Sequence, residues 1–192
     1  MDEIVICDTN AAIHLAIICP EVLKTPDDRC KIVIHAIVKQ EVHKLNQNEN
    51  KKKRLGTVLD FLLKEVTTDS KTHLPPKDKE IKHHRRIQKF EGGLDPQFVS
   101  SGSSHQDRCF LILAKEHGAK LLTNEKTLFN LGVAFLGTES TWRTSSALEK
   151  LLELQIITND IVQNGLNSMG QFEEELHPAC KNKVRELGFT CS

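Results

Sequence analysis

His105–Lys126, HQDRCFLILAKEHGAKLLTNEK, holds one complete helix-to-strand unit, and its reading decides the fold. Ser104, just ahead of it, suits an N-cap, and Asp107 falls in the first helical turn, where the helix dipole favours an acid. Phe110, Ile112, Leu113 and Ala114 supply an apolar surface, which predicts a helix from His105 to His117 with Gly118 as its stop. Ala119–Leu122 is short and largely apolar, as expected of a buried parallel strand. Thr123-Asn124-Glu125 closes that strand, and Lys126–Asn130 starts another short helix.

The flanking sequence repeats this alternation. Ile4–Cys7 is a continuous apolar run, followed directly by the capping residues Asp8-Thr9-Asn10 and a helix expected over Ala11–Cys19. Lys31–Ile37 is β-branched and reads as a second strand, with a helix over Val38–Leu45 that carries Glu41. Asn46–Asn50 breaks that helix, and the apolar stripe at Leu55, Val58, Leu59, Leu62 and Leu63 predicts another over Lys51–Lys64. Val66-Thr67-Thr68 suits a brief strand, Pro75-Pro76 a break, Lys77–Phe90 a polar basic helix and Gly92–Ser104 a loop. Val133–Leu136 reads as a further strand. Beyond Gly137 only helices are expected, over Ser145–Leu154, Asn159–Met169 and Gln171–Leu187. The pattern defines an α/β class with a parallel sheet and a helical tail.

Composition narrows the function. The 192 residues suit one domain or one domain with an appendage, and 39% hydrophobic with 27% charged residues is ordinary for a globular chain. No apolar run approaches a membrane span, and the acidic Met1-Asp2-Glu3 opening is unlike a secretory signal, so a cytoplasmic protein without a membrane partner is expected. The cysteines at 7, 19, 30, 109, 180 and 191 form no CxxC pair and read as reduced thiols. His105 and Cys109 are spaced for one helix face but lack the further ligands of a zinc site. Acids and bases balance at 26 each, which argues against binding nucleic acid by global charge. The distribution is uneven, however. Lys44, Lys51, Lys52, Lys53 and Arg54 crowd one stretch, and Lys82, His83, His84, Arg85 and Arg86 lie within a second. Trp142 is expected to pack the tail rather than stack on bases.

The acids carry the chemistry. Parallel sheets bind ligands outside the carboxyl ends of their strands. Asp8 follows the first strand and Glu125 a later one, while Glu41 and Asp107 lie on helices near the same edge. Taken singly, each has an ordinary reading: a cap, a surface residue or a first-turn acid. Together they suit hard divalent cations, which take oxygen ligands and assist phosphodiester hydrolysis. A phosphohydrolase with an Asp nucleophile would want a second Asp where Asn10 stands.

Three blocks, IVICDTN at Ile4–Asn10, IVKQEV at Ile37–Val42 and His105–Lys126, resemble the PIN domain family in order and spacing, over about residues 4–136. The resemblance implies a three-layer α/β/α fold with a central, mostly parallel sheet. It implies a PIN-like unit over 1–137, with a basic helical and loop insertion at about 71–104, and a helical C-terminal extension over 138–192 packed on it. It further implies a metal-dependent endonuclease using Mg²⁺ or Mn²⁺ on nucleic acid, RNA rather than DNA, serving as a toxin or defence effector. Asp8, Glu41, Asp107 and Glu125 would be its catalytic and metal-binding acids. Glu125 stands where the family more often has Asp. Asn10, Thr123 and Asn124 would be supporting polar residues, and Lys82, Arg85, Arg86 and Lys126 would contact nucleic acid. A homodimer and an antitoxin or other protein partner are further expectations. The alternative is a catalytically weak or inactive PIN-like module that binds RNA or a protein.

Overall fold

The computed structural model describes residues 3–66 and 104–191. Four parallel strands, β1 (Glu3–Cys7), β2 (Cys30–Ile34), β3 (Lys120–Leu122) and β4 (Thr141–Trp142), form one sheet in the order β2-β1-β3-β4. The helices are α1 (Thr9–Ile18), the short α2 (Glu21–Lys24), α3 (Ala36–Gln47), α4 (Glu49–Lys64), α5 (His105–Glu116), α6 (Lys126–Leu136), α7 (Thr144–Glu153), α8 (Asn159–Met169) and α9 (Pro178–Glu186). Right-handed crossovers place α1 on one face of this sheet and α5 and α6 on the other. The contacts agree: α1 packs on α3, α4 and α8, and α5 packs on α6. The fold is therefore α/β, with helices flanking an all-parallel sheet.

The register positions the site. Cys7 pairs with Ile34 on one side and Leu122 on the other, and Leu122 pairs with Trp142. All four strands thus end in one row. The residues that come after them, Asp8, His35, Thr123 and Arg143, occupy neighbouring places along the carboxyl edge. Two bonds extend the ladder past its last pair, Asp8 N–H to Leu122 O at 2.9 Å and Thr123 N–H to Trp142 O at 3.0 Å. The strands are buried on both faces, with Val5, Ile6, Leu121 and Leu122 at 0% exposure, which is why they read as continuous apolar runs.

Several boundaries differ from the sequence reading. β2 stops at Ile34 because His35 caps α3, its Nδ1 accepting from Ile37 N–H at 3.2 Å. Asn48 is the joint between α3 and α4, accepting from Lys51 N–H at 3.1 Å. The strand expected at Val133–Leu136 is instead the last turn of α6, whose buried Leu128 and Leu131 repeat at helical rather than strand spacing. The fourth strand lies later, at Thr141–Trp142. The helix expected over Gln171–Leu187 is interrupted where Glu173 takes a left-handed φ of 52°, and it resumes at Pro178. Val66 is buried without forming a strand. Thr67 and Thr68, the Pro75-Pro76 break, the basic helix over Lys77–Phe90 and the loop up to Ser103 lie outside the described residues.

Two of the C-terminal helices meet elements of the amino-terminal part directly. α8 lies against the end of α1 at Gly165, where an added Cβ would come within 2.4 Å of Ile18 Cα. α7 follows β4 and buries Ala147, Leu148 and Leu151 in the common core. Among the described residues, no helix is long and apolar enough to cross a membrane.

Candidate functional site

Asp8 sits where chain direction reverses across the sheet. From β1 the chain passes to β2 on one side and then returns to β3 on the other, so the crevice between the carboxyl ends of β1 and β3 is the topological switch point. The Asp8 carboxylate caps α1, Oδ1 accepting from Ala11 N–H at 2.7 Å, and Oδ2 accepts from the Thr123 hydroxyl across the crevice. The side chain is only 5% exposed. Burial pushes its carboxyl up to about 6, against the lowering effect of the Thr123 and Ala11 bonds, and the charge of Asp107 raises it further.

Each of the other acids is held by its own hydrogen bonds. Thr9, the next residue, donates its hydroxyl to Glu41 Oε2 and ties α3 to the start of α1. Asp107 closes a capping box on α5: Ser104 N–H donates to its Oδ2 at 2.7 Å, and its own N–H donates to Ser104 Oγ at 3.1 Å. Glu125 caps α6 by accepting from Leu128 N–H, and its own N–H donates to Thr123 Oγ1 at 3.1 Å. Asp8, Asp107 and Glu125 therefore do hold helix starts, and a carboxylate that accepts one such bond keeps further lone pairs. Among the described residues, no group of three or more His, Cys, Asp or Glu side chains is closed enough to hold an ion.

A cleft of about 410 Å³ opens beside the acids. Thr9, Asn10 and Ile13 of α1, Glu41, Lys44 and Leu45 of α3, Lys51 and Leu55 of α4, Gln106 of α5 and Glu174 line it. Lys44 and Lys51 come from the first basic stretch in the sequence. Arg54, from the same stretch, is committed elsewhere, Nη2 donating to Glu173 O at 2.8 Å and to Glu174 Oε1 at 3.1 Å.

Asn124 is held by partners distant in sequence. Its amide Nδ2 donates to Thr144 Oγ1 at 2.7 Å and to His14 Nδ1 at 2.9 Å, and its Oδ1 accepts from Thr144 N–H at 3.1 Å. The Cys180 thiol lies 3.5 Å from the same oxygen. Because the amide nitrogen only donates, His14 carries its hydrogen on Nε2, which faces Glu174 Oε2 at 3.5 Å. Burial acts to raise the Glu174 carboxyl, but His14, Lys51 and Arg54 hold it below its ordinary value. Asn124 thus pins the rim to α1, α7 and α9.

Lys126 is exposed at the first position of α6, and Asn10 lines the cleft. Lys82, Arg85 and Arg86 lie outside the described residues. Sequence reasoning named Lys44 and Lys51 only as part of a basic stretch and Thr9 only as a capping residue, and it passed over His14, Arg143 and Glu174. Arg143 follows β4 as Asp8 follows β1, so the position after a strand was its signal; placing the fourth strand at Val133–Leu136 hid it.

The class shown is an open parallel α/β sheet with Asp8, Thr9 and Thr123 at its switch point, the edge at which such sheets in general bind ligands. No family model matches this chain, and no curated protein matches it. Among solved structures it is similar to the crystal structure of PAE2754 from Pyrobaculum aerophilum, with a TM-score of 0.51 and 16% identity over 79% of this chain and 90% of that one. At that identity the likeness concerns the fold alone.

Proposed function

We propose that this chain is a divalent-metal-dependent endonuclease hydrolysing phosphodiester bonds, with RNA preferred over DNA. The observation that carries the reading is Asp8: a carboxylate buried at the switch point, held up at about 6 and sensing Asp107. An acid kept in so unfavourable a place suits a cation partner. The donor set fits Mg²⁺ or Mn²⁺, being carboxylate and hydroxyl oxygen without thiolate or imidazole among the expected ligands. Asp8, Asp107 and Glu41 would hold the ion, with Glu125 contributing an oxygen its cap leaves over. When bound, the ion supplies positive charge that offsets the carboxylates and the charge developing on the phosphate. Thr123 fixes the Asp8 carboxylate, Thr9 orients Glu41, and Lys44 and Lys51 attract the polyanion to the cleft.

The test is cleavage of labelled single-stranded RNA and DNA with Mn²⁺ or with EDTA. Metal-dependent cleavage by the wild type that disappears in Asp8→Asn and in Asp107→Asn supports the reading. Indifference to both the metal and the substitutions sinks it. One observation favours a second reading, a non-catalytic module that binds RNA or a protein: the acids are separately engaged in caps and form no closed ligand group among the described residues. In that case RNA is bound but left intact.

A further inference from the structure

We propose that Arg143, Lys126 and His177 form a phosphate-holding subsite on the β4 side of the acids, gripping the backbone of a single-stranded polynucleotide. The identity of the strand rests on the nuclease reading; the subsite itself rests on the grouping of two cations and an imidazole donor.

Three elements bring these groups together around Asn124. Arg143 comes directly after β4, in the same row of strand ends as Asp8 and Thr123. Its guanidinium donates through Nη1 to Asn124 O at 3.4 Å and lies over the Phe129 ring at 3.9 Å from the centroid. A carbonyl and a ring orient this group without neutralising it. Lys126 stands two residues beyond Asn124, exposed at the start of α6. His177 caps α9, whose first turn is set against Asn124 by the Cys180 thiol. Its Nδ1 accepts from Ala179 N–H at 3.2 Å, which leaves the ring hydrogen on Nε2 as a donor.

The three groups sense one another. Burial first, then the charges of Arg143 and Lys126, lower the His177 pKa. Among the described residues, none of the three is paired with a carboxylate, and Glu125, the acid next to Lys126, is engaged on Leu128 N–H. Arg143 and Lys126, two cations beside a neutral imidazole and without a counter-ion, repel one another, and an anion relieves that repulsion. A guanidinium fixed in orientation suits phosphate oxygens, with the ammonium and the imidazole N–H completing the donors. Asp8 and Arg143 are two strand spacings apart along the rim, roughly 10 Å. A phosphodiester chain with its reacting phosphate at Asp8 would place a neighbouring phosphate at Arg143. Lys44 and Lys51 line the cleft at Glu41, so positive charge stands there as well.

Binding is measured by fluorescence anisotropy of a short labelled single-stranded RNA, in the full chain carrying Asp8→Asn so that the strand stays intact. Arg143→Ala and Lys126→Ala are each expected to weaken binding by up to about tenfold. Each should also reduce the slope of log affinity against log salt by about one. Lys24→Ala, which removes an exposed lysine paired with Glu65, should change neither. Lys126 makes no hydrogen bond or ion pair to another described residue, so its variant reads the charge without disturbing the Asn124 turn. Inorganic phosphate should compete in the parent and lose that ability in Arg143→Ala. Unchanged RNA affinity and salt slope in both variants overturn the subsite. Arg143-dependent binding of phosphate without binding of RNA overturns the polynucleotide assignment. Wild-type cleavage with Mn²⁺ is scored separately. If cleavage is absent while binding still needs Arg143 and Lys126, the nuclease reading falls and the subsite stands; cleavage with indifferent binding gives the reverse.

Discussion

Replacing Asp8 by Asn should stabilise the protein in metal-free buffer at neutral pH while abolishing the activity proposed for it. The carboxyl rises from 3.8 to about 6 on folding, with burial as the main cause. That difference of about two units corresponds to about 3 kcal/mol between the protonation states. The sign comes from proton affinity. The folded state holds the Asp8 proton more tightly than the unfolded chain, so the stability present below about pH 4 is lost as pH climbs to about 6 and is level thereafter. Asn has no such loss. It also retains the cap on Ala11 N–H, since Asn and Asp serve equally as N-caps. The bond from the Thr123 hydroxyl to the charged carboxylate is already contained in the value of about 6 and takes nothing further away. The expected net gain is about 3 kcal/mol at pH 7.5, or about 6–12 °C in Tm for a chain of this size. Melts of both proteins followed by circular dichroism between about pH 4 and pH 8 in EDTA provide the assay. The two curves should meet near pH 4 and separate through pH 6. A Tm difference that does not vary with pH, or an Asn variant less stable at pH 7.5, refutes the account of Asp8 as a buried, destabilised acid.

Mn²⁺ should raise the Tm of the wild type with saturation and leave that of Asp8→Asn nearly unchanged, because only a ligand for the folded state stabilises it; equal shifts in both would place the ion elsewhere. Thr123→Val keeps the side-chain shape and removes the hydroxyl that lowers the Asp8 pKa, so the acid limb of the cleavage–pH profile should move up by about one unit. Gly165→Ala drives a methyl into the Ile18 backbone, which cannot yield as a side chain tip would; a loss of about 1–3 kcal/mol is expected by urea titration, with cleavage per folded molecule unaltered. His14→Ala leaves the Asn124 amide and Glu174 short of a partner in a buried setting; a loss of about 2 kcal/mol and faster proteolysis of the Glu173–Glu174 segment are the expected readouts.

Much of the fold was legible because parallel strands covered on both faces must be apolar throughout, and capping residues mark where each one ends. Ile4–Cys7 with Asp8 and Ala119–Leu122 with Thr123 both show this, and the structure differs there by a residue or so at the strand start. The helix at Asn159–Met169 matches residue for residue, since Thr158 caps it and its apolar face repeats cleanly. The failures have the same physics behind them. β4 contributes only Thr141 and Trp142 to the ladder, too short for any periodicity, while Val133–Leu136 offered β-prone residues inside a helix. At the site, the places of Asp8, Thr9, Thr123 and Glu125 result from lying one to three residues past a strand end. Asn124 lies one residue past Thr123, yet its role depends on Thr144 and Cys180, far along the chain, and no local pattern reports such a contact.

That long-range tie bears on how a strained acid persists. Unpaired with a cation, the Asp8 carboxylate would gain by moving toward water, and the simplest way is for the Thr123-Asn124-Glu125 turn to swing away and open the crevice. Asn124 opposes this. Both of its amide donors and its oxygen are engaged, by His14 of α1, Thr144 at the head of α7 and Cys180 of α9. Two of those three partners belong to residues 138–192. His14 is backed in turn by Glu174, and Glu174 by Arg54 of α4. The crevice therefore stays closed around Asp8 because helices remote in sequence hold its far wall, and the C-terminal segment is part of the site's construction rather than an addition to it. A chain lacking α7 to α9 would lose β4's continuation and the pins on Asn124 together. The acid could then relax toward an ordinary solvated pKa, and the environment that makes it a strong candidate for a cation would be gone.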